Sequence, residues 1–131
     1  MITEDYISFE IAKLLQEKGF HEKLFTFYIT DETKKEGYFQ LMAFTDDKID
    51  NNHSDYCYLA PTLQMAMKWL REVHKIYIDI SPTYSEVEKT IHFIWQIFDS
   101  NYDGVGDCEI FYGKYEIACE DAIKYCLENL I

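Results

Sequence analysis

The segment from Asp99 to Asp107 has the residue types and spacing that most directly suggest chemistry. It reads Asp-Ser-Asn-Tyr-Asp-Gly-Val-Gly-Asp and fits the pattern D-x-N-x-D-G-x-x-D. This spacing brings side-chain oxygens around a hard cation such as calcium, while the glycine permits a sharp turn. Asp, Asn and Gly are also the residues that a tight turn requires, so a hairpin loop without a cation is the alternative interpretation.

The same nine residues resemble the loop of EF-hand and related calcium-binding repeats. The resemblance assigns four metal ligands: Asp99, Asn101, Asp103 and Asp107. The chain departs from the EF-hand pattern at the twelfth position, where Ile110 stands in place of the bidentate glutamate. Strands, rather than helices, are predicted on both sides. A calcium site and a plain hairpin loop therefore remain two predictions for this segment.

No other motif predicts catalysis or a cofactor. The sequence has no G-x-S-x-G, no phosphate-cradling glycine loop and no H-E-x-x-H. His53 and Cys57 stand four residues apart, but no further cluster completes four zinc ligands. We therefore predict no catalytic residues, no cofactor and a protein that is not an enzyme. A catalytic group assembled in space from distant positions is the alternative.

The four cysteines predict buried, reduced thiols. None belongs to a C-x-x-C pair, and Cys119 and Cys126 are seven residues apart on one predicted helix. That spacing separates them by two turns, about 10 Å along the axis, which is too far for a disulfide. Reduced cysteines are typical of a reducing compartment.

The charge distribution argues against polyanionic partners. The chain carries 24 acidic and 12 basic residues, a formal net charge of −12, and residues 99–112 contain four acids and no base. Because binding to a nucleic acid or an anionic membrane requires Lys and Arg, we predict neither partner. The acidic N-terminal residues and the lack of an apolar run of about 18 residues predict a cytoplasmic protein without a membrane span.

The hydrophobic pattern predicts an α+β domain over residues 1–131, with three amphipathic helices and mainly antiparallel strands in the order α-βββ-α-βββ-α. The predicted helices are Ile7–Lys18, a segment from Pro61 to His74, and Tyr115–Asn129. The predicted strands are Lys23–Thr30, Tyr38–Phe44, Tyr56–Leu59, Ile76–Ile80, Ile91–Phe98 and Cys108–Tyr112. After the first helix, these elements suggest two units, residues 23–74 and 75–131.

Three stretches resemble a group of small uncharacterised proteins of gut bacteria, their phages and mobile elements. The stretches are Ile7–Leu15, Ala60–Glu72 and Glu116–Ile131, and they cover the three predicted helices. The group has no activity to carry over, and the Asp99–Asp107 loop lies outside the matching stretches. The order of strands leading into an alanine-rich helix also resembles the architecture of HicB-type antitoxins.

These observations predict a non-enzymatic, acidic protein that binds another protein and acts as a regulator of mobile-element type. Eleven tyrosines and two tryptophans in a small chain favour exposed aromatic side chains and a homo-oligomer. One alternative is a DNA mimic that inhibits a nucleic-acid enzyme with its acidic surface. Its candidate phosphate mimics are Asp46, Asp47, Asp50, Asp55, Asp99, Asp103, Asp107 and Glu109. Calcium binding at the 99–107 loop is the other alternative.

Overall fold

The computed structural model describes residues 1–41 and 56–131, and these residues form helices and strands in the predicted order α-βββ-α-βββ-α. The first half contains α1 (Phe9–Glu17), β1 (Thr26–Thr30), β2 (Gly37–Leu41) and β3 (Cys57–Leu59). The second half contains α2 (Leu63–His74), β4 (Tyr77–Ser85), β5 (Thr90–Phe98), β6 (Gly104–Asp107) and α3 (Tyr115–Asn129). Both sheets are antiparallel, so the α+β class is confirmed. The polar loop predicted from Thr45 to Asp55 lies outside the described residues.

The chain divides into two units, residues 1–62 and 63–131. The predicted grouping, 23–74 and 75–131, is wrong for the second helix. Because α2 contacts β4 and α3, it belongs to the second unit. That residues 1–131 fold as one domain stays a prediction.

Helix α1, Phe9–Glu17, is shorter than the predicted Ile7–Lys18 by two residues at its start and by one at its end. The Ser8 hydroxyl accepts a hydrogen bond from the main-chain N–H of Ile11 at 3.4 Å and caps the first turn. Gly19 has a φ of +89°, which a residue with a side chain rarely adopts. This conformation lets the Phe20 N–H donate to the Leu15 carbonyl at 3.0 Å, and the Phe20 ring is fully buried.

The sheet of the first unit has the order β2-β1-β3, with the predicted hairpin between β1 and β2. The Phe9 ring of α1 lies 5.6 Å from the Tyr28 ring and 5.5 Å from the Tyr58 ring, measured between centroids. The Tyr28 hydroxyl donates to the Ile7 carbonyl at 2.6 Å. These aromatic contacts fasten α1 to the strands, because offset and edge-on ring pairs stabilise beyond the area that they bury.

The sheet of the second unit has the order β4-β5-β6, so β5 is central, as its apolar sequence predicts. Helix α3 packs on one face of this sheet. Its Tyr125 ring lies 5.3 Å from the Trp95 ring, and its Tyr115 ring lies 5.8 Å from the Phe93 ring. Six α3 side chains are buried: Ala118, Cys119, Ala122, Ile123, Cys126 and Leu127. This stripe follows the helical period, which explains why both ends of α3 agree with the prediction.

The predicted end of the strand Ile76–Ile80 is wrong, because β4 continues through Ser81 and Pro82 to Ser85. β4 is an edge strand, and Pro82 lies opposite Phe93. The main-chain N–H and C=O of Phe93 both bond to Tyr112, on the other side of β5. The main-chain groups of Pro82 therefore point to the outer edge, where a missing N–H breaks no bond of the sheet.

The last strand of the sheet is also displaced from its predicted position. β6 is Gly104–Asp107, and the predicted segment Cys108–Tyr112 contributes only a single bridge between Tyr112 and Phe93. Ile97 pairs with Gly106 and Phe98 pairs with Gly104, so Val105 is an extra residue without a partner on β5. The turn before β6 closes earlier than the sequence pattern indicates, and the strand therefore occupies half of the predicted cation loop.

Candidate protein-binding surface

The predicted calcium ligands are divided between a turn and a strand. Asp99, Asn101 and Asp103 lie in the turn that joins β5 to β6, whereas Asp107 is the last residue of β6 and pairs with Gln96. Asp103 and Asp107 are exposed, and Asp99 is half-buried. The hairpin that the alternative interpretation predicts is therefore present.

The Asp99 carboxylate is used inside this turn. Its Oδ1 accepts hydrogen bonds from the main-chain N–H groups of Asn101, at 2.9 Å, and Asp103, at 3.0 Å. This is the geometry by which aspartate closes a turn. Within residues 1–41 and 56–131, no three His, Cys, Asp or Glu side chains are grouped so that they could hold a metal ion. Calcium binding at 99–107 stays a prediction, and the turn itself accounts for Asp99.

The acids proposed as phosphate mimics are only partly within the described chain. Asp46, Asp47, Asp50 and Asp55 lie outside it. The other four follow one another along the turn, β6 and the segment after it, and none of residues 99–112 is basic. A negative surface at this end of the second unit follows from their positions.

Tyr102 is the least expected residue of the turn. Its φ is +64°, a left-handed conformation that is an outlier for a bulky side chain and unfavourable by roughly 1–2 kcal/mol. Its ring is nevertheless 80% exposed. It stacks on the Phe98 ring with a centroid distance of 4.8 Å and an interplanar angle of 7°. A large aromatic side chain is therefore held in solvent at a position where glycine would be less strained.

Phe98 connects this ring to a third one. Tyr77 of β4 lies directly opposite Phe98 in the sheet, and paired residues of an antiparallel sheet project from the same face. This is the face opposite α3, because the residues that contact α3, Phe93 and Trp95, alternate with Phe98 along β5. We call Tyr77, Phe98 and Tyr102 the aromatic row. Its half-buried centre has exposed tyrosines on both sides.

No family model, curated protein or solved structure gives a significant match to this chain. The resemblance to proteins of gut bacteria, phages and mobile elements therefore stays a prediction, as does the likeness to HicB-type antitoxins.

A groove of about 410 Å³ lies along β6, and Phe98 of the aromatic row is one of its lining residues. It is lined by residues 96–98 of β5, all of β6 and Tyr125 of α3. A Cβ atom on Gly104 would meet nothing within 4 Å, so the groove is open at that residue. At Gly106 the Tyr125 ring lies against the main chain, and a Cβ atom there would come within 2.5 Å of Tyr125 Cε1.

None of the residues that line the groove is a histidine or a cysteine, and its titratable side chains are those of Asp107 and Tyr125. A histidine does meet a carboxylate in the β4–β5 hairpin, where His92 Nε2 lies 2.9 Å from Glu88 Oε2. Neither residue lines the groove. The pair connects β5 to the turn before it.

A largely buried polar network joins Trp95, Tyr112 and Asp121. Trp95 Nε1 donates to the Tyr112 hydroxyl at 3.2 Å, and that hydroxyl donates to the Asp121 carboxylate. Burial, together with the hydrogen bond to Asp121, raises the pKa of Tyr112 to about 12. The neutral phenol therefore joins a sheet strand to α3.

The four cysteine thiols differ in their solvent exposure. Cys57, Cys119 and Cys126 are buried, whereas Cys108 is half-buried and its sulfur accepts a hydrogen bond from the Trp95 main chain at 3.3 Å. Burial raises the pKa of Cys126 to about 12 and also raises the pKa of Cys57. All four cysteines are free, whereas the predicted burial holds for three of them and is wrong for Cys108.

None of the helices in the described ranges is long and apolar enough to span a bilayer.

The sequence predicts neither the groove nor the aromatic row. The sequence pattern predicts a loop at Gly104, Val105 and Gly106, and no sequence signal marks the positive φ of Tyr102. The Gly-x-Gly spacing was the available sign of a strand that another group approaches closely.

Proposed function

We propose that this protein is a non-enzymatic, acidic regulator that binds a partner protein through the aromatic row and the acidic turn beside it. The observation that carries the proposal is Tyr102, an exposed tyrosine stacked on Phe98 in a strained turn conformation. Strained residues are concentrated at functional sites, and exposed tyrosines are enriched at protein interfaces.

The charge around the row defines the partner more closely. Asp99, Asp103, Asp107 and Glu109 lie in the turn and strand beside it, in a segment without a basic residue. A partner surface with Lys or Arg around an apolar centre complements this arrangement. Nucleic acids and anionic membranes do not, which supports their exclusion as partners. A cytoplasmic location and an origin in a mobile element belong to the same proposal, and they depend on the sequence alone.

The proposal is tested by using the full chain as bait in the cells that naturally produce it. The informative variant is Tyr102→Gly, because it removes the ring and also relieves the positive φ. Loss of the Phe98 stack, about 0.5–1.5 kcal/mol, and relief of the strain, roughly 1–2 kcal/mol, largely offset each other. The variant should therefore stay folded. Val87→Gly is the matched control, because Val87 is 93% exposed in another turn of the same unit.

We expect one protein to be retained by the wild-type chain and by Val87→Gly, and to be strongly depleted with Tyr102→Gly. Quantitative mass spectrometry of the captured proteins measures the difference. Recovery of the bait alone would contradict the proposal, and equal retention by Tyr102→Gly would remove the aromatic row from it. A native mass of twice the chain for the free protein would show that a second copy is bound, as the predicted homo-oligomer requires.

A further inference from the structure

β6 forms one edge of the second sheet in the described chain, and the groove runs along it. The strand is short, but neither Gly104 nor Gly106 places a side chain over the groove. Tyr125 forms one wall. The groove therefore exposes main chain on one side and an aromatic ring on the other, which are the two surfaces that an added strand uses.

The direction of the main-chain groups follows from the bonds of β5. Trp95 accepts a main-chain bond from Cys108, and Phe93 exchanges two with Tyr112, so these residues point toward the β6 side. Their directions alternate along an antiparallel strand, and Gln96 therefore points toward β4. Asp107 lies opposite Gln96, so its N–H and C=O point away from β5, to the free edge.

The opposite edge of the sheet is interrupted. Pro82 lies in the middle of β4 with its main-chain groups toward the outside, and proline has no N–H to donate there. β6 contains no proline, so its outer main-chain groups are complete. Pro82 therefore weakens β4 as an acceptor of a strand, whereas the outer edge of β6 lacks no donor.

The charges beside β6 indicate which kind of strand can be added to it. Asp103 precedes β6 and Asp107 ends it. Pairing with the same strand of a second copy brings aspartates near one another, which disfavours a homodimer at this edge. A strand with Lys or Arg on one face places opposite charges there instead.

We infer that β6 is a strand-addition site for an extended, basic segment of a partner protein. The segment pairs with the outer edge of Gly104–Asp107, its basic side chains lie near Asp103 and Asp107, and its alternate side chains face the groove beside Tyr125. The inference rests on the proposed function, since it names how the partner is held.

The test uses a short capped peptide of alternating lysine and valine, labelled at one end, and the full chain. A second peptide has the same sequence with an N-methyl group on every residue, which keeps the charge but removes the main-chain donors from both edges of the peptide strand. Fluorescence anisotropy should show binding of the first peptide and a loss of about tenfold or more for the second. Hydrogen–deuterium exchange of Val105–Asp107 should slow only with the first peptide.

Charge variants locate the site on the protein. Asp103→Asn and Asp107→Asn should each weaken the unmethylated peptide about threefold at low salt, and less as salt rises. Glu36→Gln is the matched control, because it makes the same charge change at an exposed position of the first unit and should leave binding unchanged.

Equal binding of the two peptides would overturn the inference, because charge alone would then explain it, and so would failure of both to bind. Protection of Val105–Asp107 by concentration-dependent dimerisation, without peptide, would make a second copy the occupant and would also overturn it. These failures are separable from that of the proposed function. A cellular partner that depends on Tyr102, captured by a protein that binds neither peptide, leaves the proposed function standing without strand addition.

Discussion

The indole N–H of Trp95 and the hydroxyl of Tyr112 are joined by a buried hydrogen bond of 3.2 Å, and the Tyr112 hydroxyl in turn donates a hydrogen bond to the Asp121 carboxylate. Tyr112→Phe removes the acceptor of Trp95 and one donor of Asp121. We expect it to lower the free energy of unfolding by about 1–3 kcal/mol, because buried polar groups lose their partner. Urea unfolding followed by tryptophan fluorescence measures this.

The control is Tyr84→Phe, because the Tyr84 side chain is 54% exposed on β4. Its effect should stay within about 0.5 kcal/mol. Similar stabilities of the two variants would show that the Trp95–Tyr112–Asp121 network contributes nothing beyond ring packing.

The same tyrosine predicts a loss of stability in alkali. Its pKa is raised from 10.0 to about 12, first by burial and then by Asp121. A raised pKa means that the folded state holds the proton more tightly than the unfolded state does. The stabilisation is thus complete below pH 10 and is lost as the pH rises toward 12. The tyrosinate absorbance of the wild type minus that of Tyr112→Phe should show a step near pH 12. A step near pH 10 would contradict the buried phenol.

A side chain added at Gly106 is expected to clash with the Tyr125 ring in the wall of the groove. A Cβ atom at this position would meet Tyr125 Cε1 at 2.5 Å, and the Tyr125 ring is itself packed on Trp95. We expect Gly106→Ala to destabilise the chain by about 1–3 kcal/mol, because the ring must move out of a packed position. Gly104→Ala, with nothing within 4 Å, should change stability by less than about 0.5 kcal/mol. Thermal unfolding of the two alanine variants compares them, and equal melting temperatures would argue against the Tyr125 contact.

The cysteines predict an order of labelling. Cys108 is half-buried, whereas Cys119 and Cys126 are fully buried on α3. Because the thiolate is the reactive form, burial and a raised pKa slow Cys126 further. An alkylating reagent under native conditions should modify Cys108 first, and Cys108→Ser should remove the fast phase. Peptide mapping by mass spectrometry identifies the site. Early label on Cys126 would mean that α3 leaves the sheet readily.

Substitutions of Asp99 distinguish the two interpretations of residues 99–107, a calcium site and a plain hairpin turn. Asp99→Ala removes the acceptor of two main-chain amides and should destabilise the hairpin by about 1 kcal/mol. Asp99→Asn keeps an acceptor oxygen without the charge and should stay within about 0.5 kcal/mol of the wild type. If the loop binds calcium, calorimetric titration gives heat with the wild type and much less with Asp99→Asn. Absence of heat and of a thermal shift in the wild type would remove the calcium prediction.

The elements that follow from local chemistry were predictable from the sequence. Ser8 and Gly19 limit α1 through groups within a few residues of themselves, and the periodic stripe of α3 defines both of its ends. β5 is apolar on both faces, which is typical of a central strand.

The predictions that failed concern strands whose limits depend on contacts with residues distant in sequence. Whether Pro82 ends a strand depends on which side of β4 is free, and the position of β6 depends on where Asp99 closes the turn. The contact of Tyr125 with Gly106 joins two elements, and a pattern read within one element does not contain it. The groove is formed by that contact and by β6, so it was missed together with them.

Pro82 also affects how copies of the second sheet could pair with one another. Fibres made by edge-to-edge pairing use both edges of a sheet, and a strand added along β4 would lack the donor that position 82 does not have. Pro82 therefore weakens repeated pairing through this sheet. The missing donor is a property of the covalent ring, so neither acid nor salt restores it.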